Sequence, residues 1–90
     1  MRSIFEPIQV QTDGNGIPAR VLWRGRTFVV ARVLNRWRYV GKWWLNLNPQ
    51  RRTYYRLEAR PLLPHQQRGA ARVLEVFKQD GTWTLSYLCD

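Results

Sequence analysis

The dipeptide Asp80-Gly81 stands between two β-rich runs near the end of the chain, and two residues of this type in that setting form the tight turn of a β-hairpin. Folding the runs about it sets Gln79 opposite Thr82, Lys78 opposite Trp83, Val76 opposite Leu85 and Leu74 opposite Tyr87. Leu74, Val76, Trp83, Leu85 and Tyr87 then share one face, and Glu75, Gln79, Thr82, Thr84 and Ser86 share the other. Two residues depart from the pattern. Phe77 falls on the polar face, and Lys78 falls on the apolar one, where its stem can lie along Trp83 with the ammonium in water.

A second hairpin is centred on Arg24-Gly25, with Gly25 supplying the positive φ that a tight turn needs. It pairs Ala19 with Val30, Val21 with Phe28 and Trp23 with Arg26. Beyond Val30 the apolar parity slips to Ala31 and Val33, which predicts a bulge near Ala31 or a strand bent hard enough to bury both sides. Phe28 to Trp37 is the longest strand candidate and central, with Tyr39 to Lys42 turning it into Trp43-Trp44-Leu45. Thr53 to Leu57 is a further strand by its content. Ile4 to Gln11 is a first strand, followed by the turn-forming Asp13-Gly14-Asn15-Gly16, and Pro7 places that strand at an edge. Pro61 to Pro64 reads as extended loop, and any helix falls within 64–74. Ninety residues hold one domain, 1–90, with a modest core. The expected fold is all-β, an antiparallel barrel-like or strongly curved sheet of six to seven short strands.

Catalytic raw material is scarce. There is one His, one Cys and six carboxylates, of which Asp13 and Asp80 are turn formers, and no phosphate-binding glycine motif or metal-ligand spacing occurs. No enzyme activity, cofactor, metal or small-molecule substrate is therefore expected. The lone Cys89 cannot form an internal disulfide, and Met1 to Pro7 breaks its apolar character too early for a signal peptide. A cytoplasmic protein away from membranes is expected.

Charge carries the functional reading. Fifteen basic residues, thirteen of them Arg, stand against six acidic ones for a net +9, a surplus that draws anions and favours bidentate contact with phosphate. The cations alternate with aromatics: Arg24, Arg26, Arg32, Arg36, Arg38, Lys42, Trp43, Trp44, Arg51, Arg52, Tyr54 and Arg56 form the candidate nucleic-acid surface. Guanidinium groups for phosphates and flat rings for bases is the chemistry such surfaces use. Adjacent Trp43 and Trp44 point to opposite faces if they lie in a strand, so only one ring can enter a single core.

The run Trp23 to Leu34, with Arg36-Trp37-Arg38, Trp43-Trp44, Tyr54 to Leu57 and Asp80 to Tyr87, resembles a small uncharacterised bacterial domain. That domain occurs free-standing and at the C-terminus of ImuB-type proteins, which look like inactive Y-family DNA polymerases of damage-induced mutagenesis cassettes. The resemblance runs from about Ile8 onward. It implies a role near DNA damage tolerance, through DNA or through translesion machinery, and no catalysis. Two readings follow: a non-enzymatic module binding single- or double-stranded DNA, or a module docking an acidic or apolar protein partner through the Trp43-Trp44 region or an open sheet edge.

Overall fold

The computed structural model describes residues 2–40, 51–64 and 68–89. Six antiparallel strands, β1 (Arg2–Thr12), β2 (Pro18–Trp23), β3 (Arg26–Val40), β4 (Arg51–Pro61), β5 (Arg72–Gln79) and β6 (Thr82–Cys89), form a closed barrel. Each strand pairs with the next in sequence, and β6 returns to β1. The all-β expectation holds, and the described residues contain no α-helix. Within 64–74, Pro64 has 3₁₀ geometry, Arg68 bridges to Leu62 and β5 has begun by Arg72, while 65–67 lie outside the described residues.

Both short hairpins turn where the glycines require. Arg24 and Gly25 have φ of 49° and 72°, and Asp80 and Gly81 have φ of 52° and 78°, so two successive residues are left-handed, as turns matched to the twist of the strands demand. Pairing across them is as expected for Trp23 with Arg26, Val21 with Phe28, Gln79 with Thr82, Lys78 with Trp83 and Val76 with Leu85. The first turn is held by the Asp13 carboxylate, which accepts from the amides of Asn15 at 2.8 Å and Ile17 at 3.0 Å.

Alternation fills the barrel from every wall. Val21, Phe28, Tyr55, Leu57, Ala59, Leu74, Val76, Trp83, Leu85 and Leu88 form one buried cluster, and Ile4, Ile8, Val10, Trp23 and Val30 pack against it. Trp83 meets Tyr55 at 5.6 Å between ring centroids, and the Lys78 ammonium lies 5.7 Å from the Trp83 ring. The Lys78 stem thus runs as anticipated.

Several details differ from the sequence expectation. A bulge between Glu75 and Val76 moves Leu74 from Tyr87 to Leu88 and places Glu75 opposite Tyr87. The extra residue, Ser86, is fully buried instead of exposed, and its hydroxyl lies 3.0 Å from both the Glu75 carbonyl and Glu75 Oε2. Glu75 is buried with it, because this hydroxyl and Arg56 satisfy a carboxylate that would otherwise need water. Tyr87 is left only half-buried and Leu88 takes its core position. Phe77 is indeed outside the barrel yet 5% exposed, because Tyr54, Phe5 and the Arg52 guanidinium cover it.

β1 is not an edge strand. It pairs with β6 from Arg2 to Ile8 and with β2 from Gln9 to Thr12, so Pro7 sits where β6, and not β2, is its neighbour. Tyr39 and Val40 do not turn but continue β3 to its end, opposite Arg52 and Arg51. The predicted bulge at Ala31 is present, and a second follows at Leu34. Trp43, Trp44 and Lys42 lie outside the described residues.

Trp83→Ala should cost about 3–5 kcal/mol, the range for truncating a buried large aromatic, and denaturant melts would show most of the stability of so small a domain gone. An unchanged melting temperature would contradict the core assignment.

Candidate nucleic-acid interface

Strand β3 is the feature that places the cations. It pairs with β2 only as far as Val29, whereas its ladder with β4 runs on to Val40 opposite Arg51. β5 covers β4 only from Thr53 onward. The outer half of β3 and the start of β4 therefore leave the barrel as an arm, and alternation gives this arm two faces of different chemistry.

One face continues the barrel interior. Arg36 stands opposite Tyr55, Arg38 opposite Thr53 and Val40 opposite Arg51, and Thr53 is in turn opposite Lys78. Directly paired residues point the same way, so Arg36, Arg38, Arg51 and Lys78 share this face. All four are exposed, and among the described residues none has a carboxylate partner. Arg36 rests over the Tyr55 ring at 5.6 Å, which restrains its stem while the guanidinium stays in water. Lys78 was not part of the cluster read from the sequence. Its position opposite Thr53 could have been found only from the β4–β5 register.

The other face is already occupied with itself. Trp37 stacks on Tyr54 at 5.2 Å with rings 3° from parallel, and Tyr54 meets Phe77 at 5.1 Å. Arg52 lies 4.4 Å over Phe77 and donates to Gln79 Oε1 at 2.7 Å and to the Tyr54 hydroxyl at 3.2 Å. Arg56 reaches Glu75 at 3.4 Å and sits 5.8 Å over Trp37. Farther back on β3, Arg32 pairs with Glu58 at 2.8 Å. The structure thus divides the sequence-derived residues. Arg36, Arg38 and Arg51 converge with open charge, whereas Arg32, Arg52, Tyr54 and Arg56 have intramolecular partners.

Arg24 and Arg26 belong to the opposite end of the barrel, at the β2–β3 turn. Arg24 occupies the left-handed region at φ 49°, a conformation that costs a non-glycine residue roughly 1 kcal/mol. Its guanidinium lies 4.7 Å over Trp23 and donates to Glu6 through Nε and Nη2, and Trp23 Nε1 donates to the same carboxylate at 3.0 Å. Trp23, Arg24 and Arg26, with Arg2, Arg72, Phe28 and Leu88, surround a cavity of about 340 Å³. Among the described residues no group of three or more His, Cys, Asp and Glu side chains is placed to hold a metal ion.

The hydrogen bonds from Arg24, and then from Trp23, hold the Glu6 carboxyl below its ordinary value of 4.5. A carboxylate more acidic in the folded than in the unfolded chain stabilises the fold above its unfolded value, and that contribution disappears as pH falls through the native one. Denaturant midpoints for the protein and for Glu6→Gln should therefore differ by a constant amount above about pH 4.5 and converge below it. A difference that does not change with pH would show that the ion pair contributes nothing.

No curated protein and no solved structure matches this sequence. One family model matches residues 1–90, the whole chain, and its description is a domain of unknown function, DUF6504. The chain, a six-stranded closed barrel with a cationic arm, is a member of the DUF6504 family.

Proposed function

We propose that this domain is a non-enzymatic DNA-binding accessory module that grips the phosphate backbone with the inner face of its β3–β4 arm. The observation that carries this reading is the convergence of Arg36, Arg38, Arg51 and Lys78 on one face without carboxylate partners. Guanidinium groups left open on an extended ribbon match the charge and geometry of a phosphate row. The net charge of +9 adds the long-range field that speeds encounter with a polyanion.

Among the described residues of the cluster the contact is to phosphate and not to bases. Tyr54, the described aromatic of the sequence-derived cluster, is already sandwiched between Trp37 and Phe77, so its faces have partners within the protein. Phosphate contacts position a protein without reading sequence. The resemblance to the C-terminal domain of ImuB-type proteins points the same way and supplies the setting, damage tolerance, in which such a module would serve.

A second reading rests on a different observation. On its β2-facing side β3 has no paired strand beyond Val29 among the described residues, and Val33, Leu34, Tyr39 and Val40 are exposed along it. An open strand edge can accept an extended segment of a protein partner, such as a component of the translesion machinery.

Arg38→Gln with Arg51→Gln should leave the melting temperature unchanged and weaken DNA binding for every sequence tested. Each phosphate contact contributes about 0.7 to the slope of log affinity against log salt on single strands, so two lost contacts should flatten it by about 1.4. Arg56→Gln, on the other face, should lower stability and leave the slope alone. An unaltered slope in the double variant would remove the arm from the interface and favour the open β3 edge.

A further inference from the structure

The end of the barrel remote from the arm carries a second cationic feature that the arm does not explain. We infer that the cavity at the β2–β3 turn is a binding site for a phosphorylated nucleoside, either a free mononucleotide or the phosphorylated terminus of a strand. Four arginines, Arg2, Arg24, Arg26 and Arg72, line it, and no carboxylate is among its described lining residues. Glu6, beside it, is engaged by Arg24 and Trp23. Arg2 and Arg26 are exposed and have no ion-pair partner among the described residues. The like charges of Arg2 and Arg26 at one cavity repel, and a bound dianion relieves that repulsion while accepting forked hydrogen bonds.

Two further observations separate a nucleotide from a bare anion. The volume, about 340 Å³, falls at the lower end of the roughly 300–1,000 Å³ of small-molecule sites, more room than an inorganic phosphate needs. The wall also holds Trp23 and Phe28, with ring centroids 6.3 Å apart, and the Arg24 guanidinium lies over Trp23. An indole with a guanidinium over it and a tilted phenyl ring beside it offers a base an aromatic surface to pack against. The strained backbone of Arg24 fits this role. A left-handed turn position suits Asn or Gly better, and departures from such preferences gather at binding sites. Here the departure places a guanidinium over an indole at the cavity wall.

The site differs from the proposed arm interface in both residues and location. β3 begins at the cavity with Arg26 and ends at the arm with Val40, so the two can be tested separately. Calorimetry with adenosine 5′-monophosphate, together with the shift of the Trp23 indole N–H resonance, reads the cavity directly. The expected result on the unaltered protein is saturable binding that moves Trp23, with adenosine and inorganic phosphate each at least tenfold weaker. Arg2→Gln with Arg26→Gln should weaken the nucleotide at least tenfold and preserve the melting temperature. Arg38→Gln with Arg51→Gln should leave it unchanged, even if the arm proves not to bind DNA. A tenfold preference for a 5′-phosphorylated over a 5′-hydroxyl oligonucleotide would identify a strand terminus as the source. Equal affinities for the two, with the mononucleotide still bound, would identify the free nucleotide. No displacement of Trp23 by the mononucleotide, or equal binding of adenosine, would overturn the inference without bearing on the arm.

Discussion

The β3–β4 ladder is the interaction on which the rest of the molecule depends. It runs from Phe28 opposite Pro61 to Val40 opposite Arg51, so one pair of strands supplies a wall of the barrel and the whole of the arm. A strand of this length would carry a uniform twist past the barrel and expose its apolar parity. Bulges at Ala31 and Leu34 prevent that by adding residues to β3 alone. The result is that between the bulges Val33, opposite Leu57, takes the inner face and Arg32, opposite Glu58, the outer one, while beyond the second bulge Arg36 and Arg38 return to the parity of Phe28 and Val30.

Burial decides which of the many arginines remain open to a partner. A guanidinium in contact with the half-buried outer layer draws on nearby acceptors: Arg52 finds Gln79 and Tyr54, and a terminal nitrogen of Arg56 finds Glu75, while Arg56 Nε is buried with no hydrogen-bond partner among the described residues. These pairs help close the sheet over Phe77 and Trp37. The inner-face arginines Arg36, Arg38 and Arg51 meet no such demand, since they are exposed and water solvates them at little cost. Open charge therefore accumulates where the ladder outruns its neighbours. The same reasoning applies at the β2–β3 turn, where Arg26 projects from a two-residue hairpin while Arg24 is turned back onto Glu6.

Two cationic regions at opposite ends of β3 give the barrel an extended positive field instead of one patch. A chain with six carboxylates has few means to neutralise it, and several of those carboxylates serve the fold: Asp13 in a turn, Glu75 beneath Ser86, and Glu6 at the cavity rim. The residual repulsion destabilises the compact state slightly and favours any polyanion that spans the surface.

Both two-residue hairpins, the bulge at Ala31, the burial of Trp83 and the placement of Lys78 along it followed from local spacing, because turn chemistry and period-two alternation act over a few residues. The cationic, aromatic-rich character of β3 and β4 was equally plain in the sequence. Its division into open and engaged arginines was not, since Arg56 differs from Arg36 only in which strand lies across from it. The bulge at Glu75 likewise exchanged Tyr87 for Leu88 in the core and buried Ser86, a change that no local pattern announced. The sequence by itself determined the strands, their turns and the sign of the surface. Only the tertiary structure decided barrel closure, the gathering of Arg2, Arg24, Arg26 and Arg72 around one cavity, and the pairing of Lys78 with the arm, because these depend on long-range register, which is set by how all six strands fill one interior.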